Sequence, residues 1–82
     1  MATKEQMHLE KKVLEYFEKE YYWSCSALDS NLAEPWEIVH NAKQRMLGVG
    51  HFVQTLGINY DTLEMLYNDY TERLDNLIKE EN

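Results

Sequence analysis

A regular spacing of apolar residues near the end of the chain constrains its fold more than any other feature. Leu63, Tyr67, Tyr70, Leu74 and Leu77 follow one another at steps of 4, 3, 4 and 3 residues. These steps place all five side chains on one side of an α-helix, while charged residues and asparagine occupy most of the remaining positions. Because a helix with one apolar side has to bury that side, other elements must pack against it.

Two segments further upstream show the same helical periodicity. The sequence therefore predicts an all-α fold, an antiparallel three-helix bundle with helices at about 4–28, 33–56 and 60–79. We expect a single domain over residues 1–82, because a chain of this length supports one modest core.

Proline, glycine and capping residues mark the ends of these helices. The first helix is expected to end near residues 29–31, which prefer turns. Pro35 suits the first turn of the second helix, where its missing N–H has no helical partner. Gly57 is predicted to end that helix in the left-handed conformation. The third helix then begins near Asn59 or Asp61, both of which are good capping residues.

The middle helix is apolar over more than half of its circumference, which is typical of a helix covered on two sides. Gly48 and Gly50 lie inside it, and each costs about 1 kcal/mol relative to alanine. They indicate either a close approach of a neighbouring helix or a break. Since the apolar pattern passes through both glycines in phase, we expect a continuous helix. A break there, giving four helices, is the alternative.

The net negative charge of the chain indicates which class of molecule it is expected to bind. The chain has 8 Lys and Arg residues against 15 Asp and Glu residues, for a net charge of -7. Such a field repels phosphate backbones and anionic lipids. We therefore expect a protein partner, with a second copy of the chain among the candidates, rather than nucleic acid or a membrane.

The single cysteine and the absence of a long apolar run bear on the cellular location of the protein. Cys25 has no cysteine to pair with inside the chain, which fits a reducing environment. No stretch approaches 18 consecutive apolar residues, and the N-terminus lacks the apolar core of a signal peptide. These features predict a soluble cytoplasmic protein.

Few residues show a spacing suited to catalysis or metal binding. Glu37 and His40 form one Glu-x-x-His unit, but di-iron bundles use two such units and two further glutamates. His40 and His51 are eleven residues apart, about 16 Å along a helix, which is too far for one ion. We therefore expect no metal, no cofactor and no catalytic residue, and a protein that is not an enzyme.

An aromatic segment over residues 16–23 contains five rings in eight residues, more than one small core can hold. Exposed aromatic side chains are typical anchors of protein interfaces, so this segment predicts a binding surface. An exposed methionine and acidic neighbours on the third helix extend that prediction. The predicted partner-binding residues are Tyr16, Tyr22, Trp23, Trp36, Glu64, Met65, Asp69 and Glu72.

The corner at Gly57 supports a second hypothesis, a transcription-related DNA-binding module. The residues around the turn glycine resemble the apolar pattern of helix-turn-helix proteins, and they are Leu56, Gly57, Ile58, Leu63 and Leu66. Val53 stands where a small residue is usual. DNA binding would need five cationic residues to converge on one surface beside the third helix. These residues are Lys4, Lys11, Lys12, Lys43 and Arg45.

The segment 71–78 supports a third hypothesis, a small helical enzyme. It resembles the Ser-Gln-x-Leu-Asp helix segment of the small phosphatases that dephosphorylate response regulators in spore-forming bacteria. The resemblance implies that Asp75 is the functional aspartate. Thr71 and Glu72 replace the serine and glutamine of that pattern.

Overall fold

The computed structural model describes residues 4–79 and contains three α-helices in that range. They are α1 (Lys4–Asp29), α2 (Pro35–Thr55) and α3 (Tyr60–Lys79). Each helix packs against the other two, which confirms the predicted three-helix bundle. The bundle is elongated, with extents of 44 × 17 × 16 Å. Among residues 4–79, none of the three helices combines the length and the apolar character that a membrane span requires.

Side-chain contacts between distant residues show that neighbouring helices run in opposite directions. The Gln6 side-chain amide, in the first turns of α1, donates to the Gly57 carbonyl at 3.1 Å, just after α2. In the middle of the bundle, Lys43 Nζ of α2 lies 2.6 Å from Asp75 Oδ1 of α3. α1 therefore begins where α2 ends, and α3 runs back along α2.

Buried apolar side chains from all three helices form the core. Phe17 of α1, Met46 of α2 and Leu74 of α3 are fully enclosed. A smaller cluster closes the end of the bundle where α1 ends and α2 begins. Its buried members are Ala27, Leu28 and Ile38.

Left-handed residues end the first two helices. Gly57 has φ +102°. The N–H of Ile58 donates to the Val53 carbonyl at 3.4 Å, and the N–H of Gly57 donates to the Gln54 carbonyl at 3.2 Å. This pair of hydrogen bonds is a Schellman motif, and it confirms Gly57 as the end of α2. Asn31 takes the corresponding place after α1, with φ 54°.

The start of α3 distinguishes the two predicted capping residues. Asn59 Oδ1 accepts a hydrogen bond of 2.8 Å from the N–H of Asp61. Asn59 is therefore the capping residue. Asp61 lies in the first turn, where its negative charge faces the positive end of the helix dipole.

α2 is continuous through Gly48 and Gly50, so the four-helix alternative is wrong. The suggestion of a close helix approach is also wrong. A Cβ atom built on either glycine meets no heavy atom within 4 Å. Neither glycine is required by backbone crowding.

The expectation that α2 is covered on two sides is wrong, because the outer face of this helix is exposed to solvent. Trp36, Phe52 and Leu56 are all exposed. The buried residues of α2 pack in the core that it shares with α1 and α3. α2 therefore presents apolar side chains to solvent that the bundle itself does not bury.

Candidate protein-interaction site

A groove of about 290 Å³ lies between α2 and α3. Phe17, Met46 and Leu63 line it, and all three are buried members of the main core cluster. Leu47 and Tyr60, which also line the groove, are exposed apolar residues. The groove is thus a place where the core is reached from the surface, and its apolar lining suits an apolar side chain.

Gly50 adds no side chain to the α2 wall of this groove. It lines the groove, and a Cβ built on it would meet nothing within 4 Å. Gly48 is equally open, but it is not among the residues that line the groove. The two glycines therefore occupy equally open positions of α2, but Gly50 lines the groove and Gly48 does not.

The edge of the groove is polar. His51 and Gln54 of α2 stand on one side, and Glu64 and Asn68 of α3 stand on the other. All four side chains are exposed. An apolar interior surrounded by polar residues is the composition of a protein interface, with an apolar centre and a hydrated rim. Of the predicted partner-binding residues, Glu64 lies at this site.

Two other predicted residues, Tyr16 and Trp23, belong to a cluster between α1 and α2. Arg45 Nε donates to the two carboxylate oxygens of Glu20 at 3.0 and 2.9 Å, and Tyr16 Oη donates to Glu20 Oε1 at 3.1 Å. The Arg45 guanidinium also lies 5.0 Å from the centre of the Trp23 ring, a cation–π contact. Both aromatic residues therefore have partners within the chain.

The same cluster shifts two pKa values. The hydrogen bond to Glu20 raises the pKa of Arg45 above its ordinary value. Burial raises the pKa of Tyr16, and its hydrogen bond to the Glu20 carboxylate raises it further. The Glu20 side chain is only 13% exposed, so both neighbours act on a carboxylate with little access to water.

The remaining predicted residues lie on separate faces. Tyr22 is 68% exposed on α1, and Trp36 is 61% exposed in the first turn of α2. Met65 is 73% exposed on α3 and shares an outward face with Asp69 and Glu72. The eight predicted residues therefore do not form one surface.

Two cationic residues of the DNA-binding hypothesis are held by neighbours on different helices. Lys43 pairs with Asp75 of α3, and Arg45 pairs with Glu20 of α1. Positions two apart on a helix are separated by about 200°, so these two cations point to opposite flanks of α2. Asp75, the aspartate implied by the phosphatase resemblance, is the partner of Lys43.

Histidine, cysteine and carboxylate side chains within residues 4–79 form no group of three or more that is placed to hold a metal ion. Glu37 is partly buried, and His40 and His51 are exposed. Every buried side-chain nitrogen and oxygen in this range has a hydrogen-bond partner.

Sequence reasoning missed the groove, because a depression between two helices depends on how they are rotated and offset. Gly48 and Gly50 both interrupt an apolar helical segment without ending the helix, and nothing local shows that Gly50 rather than Gly48 lines the groove. The chain matches no protein-family model, no curated protein sequence and no solved structure.

Proposed function

We propose that this chain is a non-enzymatic protein-interaction module that holds an apolar side chain of a partner protein in the α2–α3 groove. The observation that carries the proposal is the groove itself, about 290 Å³ in volume and lined by buried Phe17 and Met46. This volume is just below the range of about 300–1,000 Å³ that is typical of ligand pockets. It suits one large side chain better than a bulky small molecule.

Two further features support a protein as the partner. The net charge of -7 disfavours nucleic acid, since phosphate groups would be repelled. The polar residues at the edge of the groove match the hydrated rim of a protein interface. Leu47 and Tyr60, which line the groove and are exposed, match its anchor positions. The proposal includes a cytoplasmic location, which the free thiol of Cys25 supports.

Site-specific photocrosslinking in the organism that encodes the protein tests this function. A photoreactive p-benzoylphenylalanine replaces His51 at the edge of the groove, or Lys19 on α1 as the control position. We expect a crosslinked species of defined mass from position 51 only. Gly50→Leu should abolish it by filling the groove, and Gly48→Leu should leave it unchanged.

Circular dichroism of each variant establishes that the helices are retained. Equal crosslinking from the two positions would contradict the proposal, because it would mean that contact with other proteins is not specific to the groove. Crosslinking from position 51 that persists in folded Gly50→Leu would contradict it as well.

A further inference from the structure

Trp36 lies on the same side of α2 as the groove. Positions 36, 43, 47, 50 and 54 follow one another at steps of 7, 4, 3 and 4, which is one helical face. The last three of these positions line the groove. Trp36 is exposed, and no other described residue gives it a hydrogen bond, a ring contact or a cation–π contact. It is a large, exposed apolar side chain with none of these contacts among residues 4–79.

Trp36 does not reach the groove of its own molecule. The distance from position 36 to position 50 is fourteen residues, or about 21 Å along the helix axis at about 1.5 Å per residue. A tryptophan side chain is far shorter than that. If the groove holds Trp36, the Trp36 belongs to another molecule.

A two-fold axis relating two copies of the chain would place the Trp36 of each copy at the groove of the other. Position 43 lies midway between positions 36 and 50, so an axis perpendicular to α2 at Lys43 exchanges those two levels. Each Trp36 then lies at the level of Gly50 in the other copy. This is an isologous contact, in which one surface binds the same surface of a second molecule.

We infer that the groove is occupied by Trp36 of a second copy of this chain, so that the protein forms a symmetric dimer with two reciprocal Trp36–groove contacts. The inference rests on the proposed function, because it names the occupant of the same groove. Gly50 is then the residue that makes room for the incoming indole ring, since it leaves that wall open.

The charges at the proposed axis permit this contact. Two Lys43 side chains would approach one another there, but each is paired with an Asp75 carboxylate at 2.6 Å in its own molecule. The bundle is 44 Å long and 17 Å wide, so one face is comparable in area to the about 800 Å² that each partner buries in a standard interface.

The other exposed aromatic and large apolar residues are less suited to this role. Phe52 lies about 160° around α2 from Trp36, on the side of α1. Tyr22 and Met65 lie on the outward faces of α1 and α3. Trp36 is therefore the exposed aromatic residue of α2 that shares the face of the groove.

Analytical ultracentrifugation over a range of concentrations tests the dimer. We expect the mass to rise from 9.8 kDa toward twice that value. Trp36→Ala and Gly50→Leu should each raise the dissociation constant at least about 30-fold, the effect of losing a strong interface anchor. The matched controls Tyr22→Ala and Gly48→Leu should leave it within about 3-fold of the original.

Mixing the two disabling variants makes the test sharper. A Trp36→Ala homodimer has two grooves and no tryptophan, and a Gly50→Leu homodimer has two tryptophans and no open groove. A mixed dimer has one intact contact, so we expect the mixture to associate more tightly than either variant alone. Equal association of the mixture and the separate variants would overturn the reciprocal arrangement.

Salt distinguishes a second copy from a cationic partner. Since two copies with a net charge of -7 repel each other, added salt should strengthen the dimer, whereas it would weaken binding to a positively charged protein. A strict monomer at millimolar concentration, in low and in high salt, would overturn the inference. If position 51 then still crosslinks a different protein, the proposed function stands. If it crosslinks nothing, both fail.

Discussion

Replacing Gly48 and Gly50 by alanine is expected to stabilise the fold. Both residues lie inside α2 with negative φ, and neither position has a heavy atom within 4 Å of an added Cβ. Alanine then gains helix propensity and reduces the freedom of the unfolded chain, without any clash in the native state. We expect each substitution to raise the free energy of unfolding by about 0.5–1 kcal/mol.

The effect is large enough to measure in a domain of this size. One kcal/mol moves the melting temperature of a domain of 60–100 residues by about 4–8 °C, so the double variant should melt higher by roughly 4–16 °C. Urea unfolding followed by circular dichroism gives the free energy directly. The slope of that free energy against urea concentration should not change, because the surface exposed on unfolding is nearly the same.

Gly57→Ala is the matched control of opposite sign. Gly57 has φ +102°, a conformation that alanine adopts only with strain, so this variant should lose about 1 kcal/mol or more. A loss of stability in Gly48→Ala, or in Gly50→Ala at a protein concentration where the chain is monomeric, would refute the reasoning. It would mean that the glycines are required by packing and that the α2 wall of the groove is not open.

Three further predictions concern the core, the α1–α2 cluster and the response to alkaline pH. Met46 is fully buried, so Met46→Ala should lower the free energy of unfolding in urea by about 2–5 kcal/mol. Met46→Leu should lower it by less than about 1.5 kcal/mol. Equal losses would contradict the close packing around Met46. A double-mutant cycle with Glu20→Gln and Arg45→Met should give a coupling energy of about 1 kcal/mol, and additive effects would show that the ion pair does not contribute. Burial raises the pKa of Tyr70 above its ordinary value of about 10. The folded state therefore holds that proton more tightly, and its stabilising effect is complete below about pH 10 and lost as the pH rises through the folded-state pKa. Between about pH 8 and 12, the urea midpoint of unfolding should fall with rising pH for the original chain and fall less for Tyr70→Phe. Identical pH dependences of the two proteins would contradict the role assigned to Tyr70.

The number of helices and their approximate ends are predictable from local sequence alone. Helix formation depends on residues three and four apart, and the apolar periodicity reports that spacing directly. The boundaries are equally local: Pro35 begins α2, Gly57 ends it, and Asn59 caps α3 through its own side chain. Each of these features depends on groups within a few residues of one another, so neighbouring letters of the sequence are sufficient to predict them.

The surfaces that those helices create depend on how the three helices pack together. The ion pairs of Arg45 with Glu20 and of Lys43 with Asp75 join residues 25 and 32 positions apart, and no periodicity relates their members. The groove beside Gly50 likewise exists only because α2 and α3 pack at a particular rotation and offset above the core. A helical pattern specifies which side of each helix turns inward, but it does not specify how two inward sides are aligned. That alignment results from the packing of side chains from all three helices, and it decides which apolar residues are buried and which remain available to a partner.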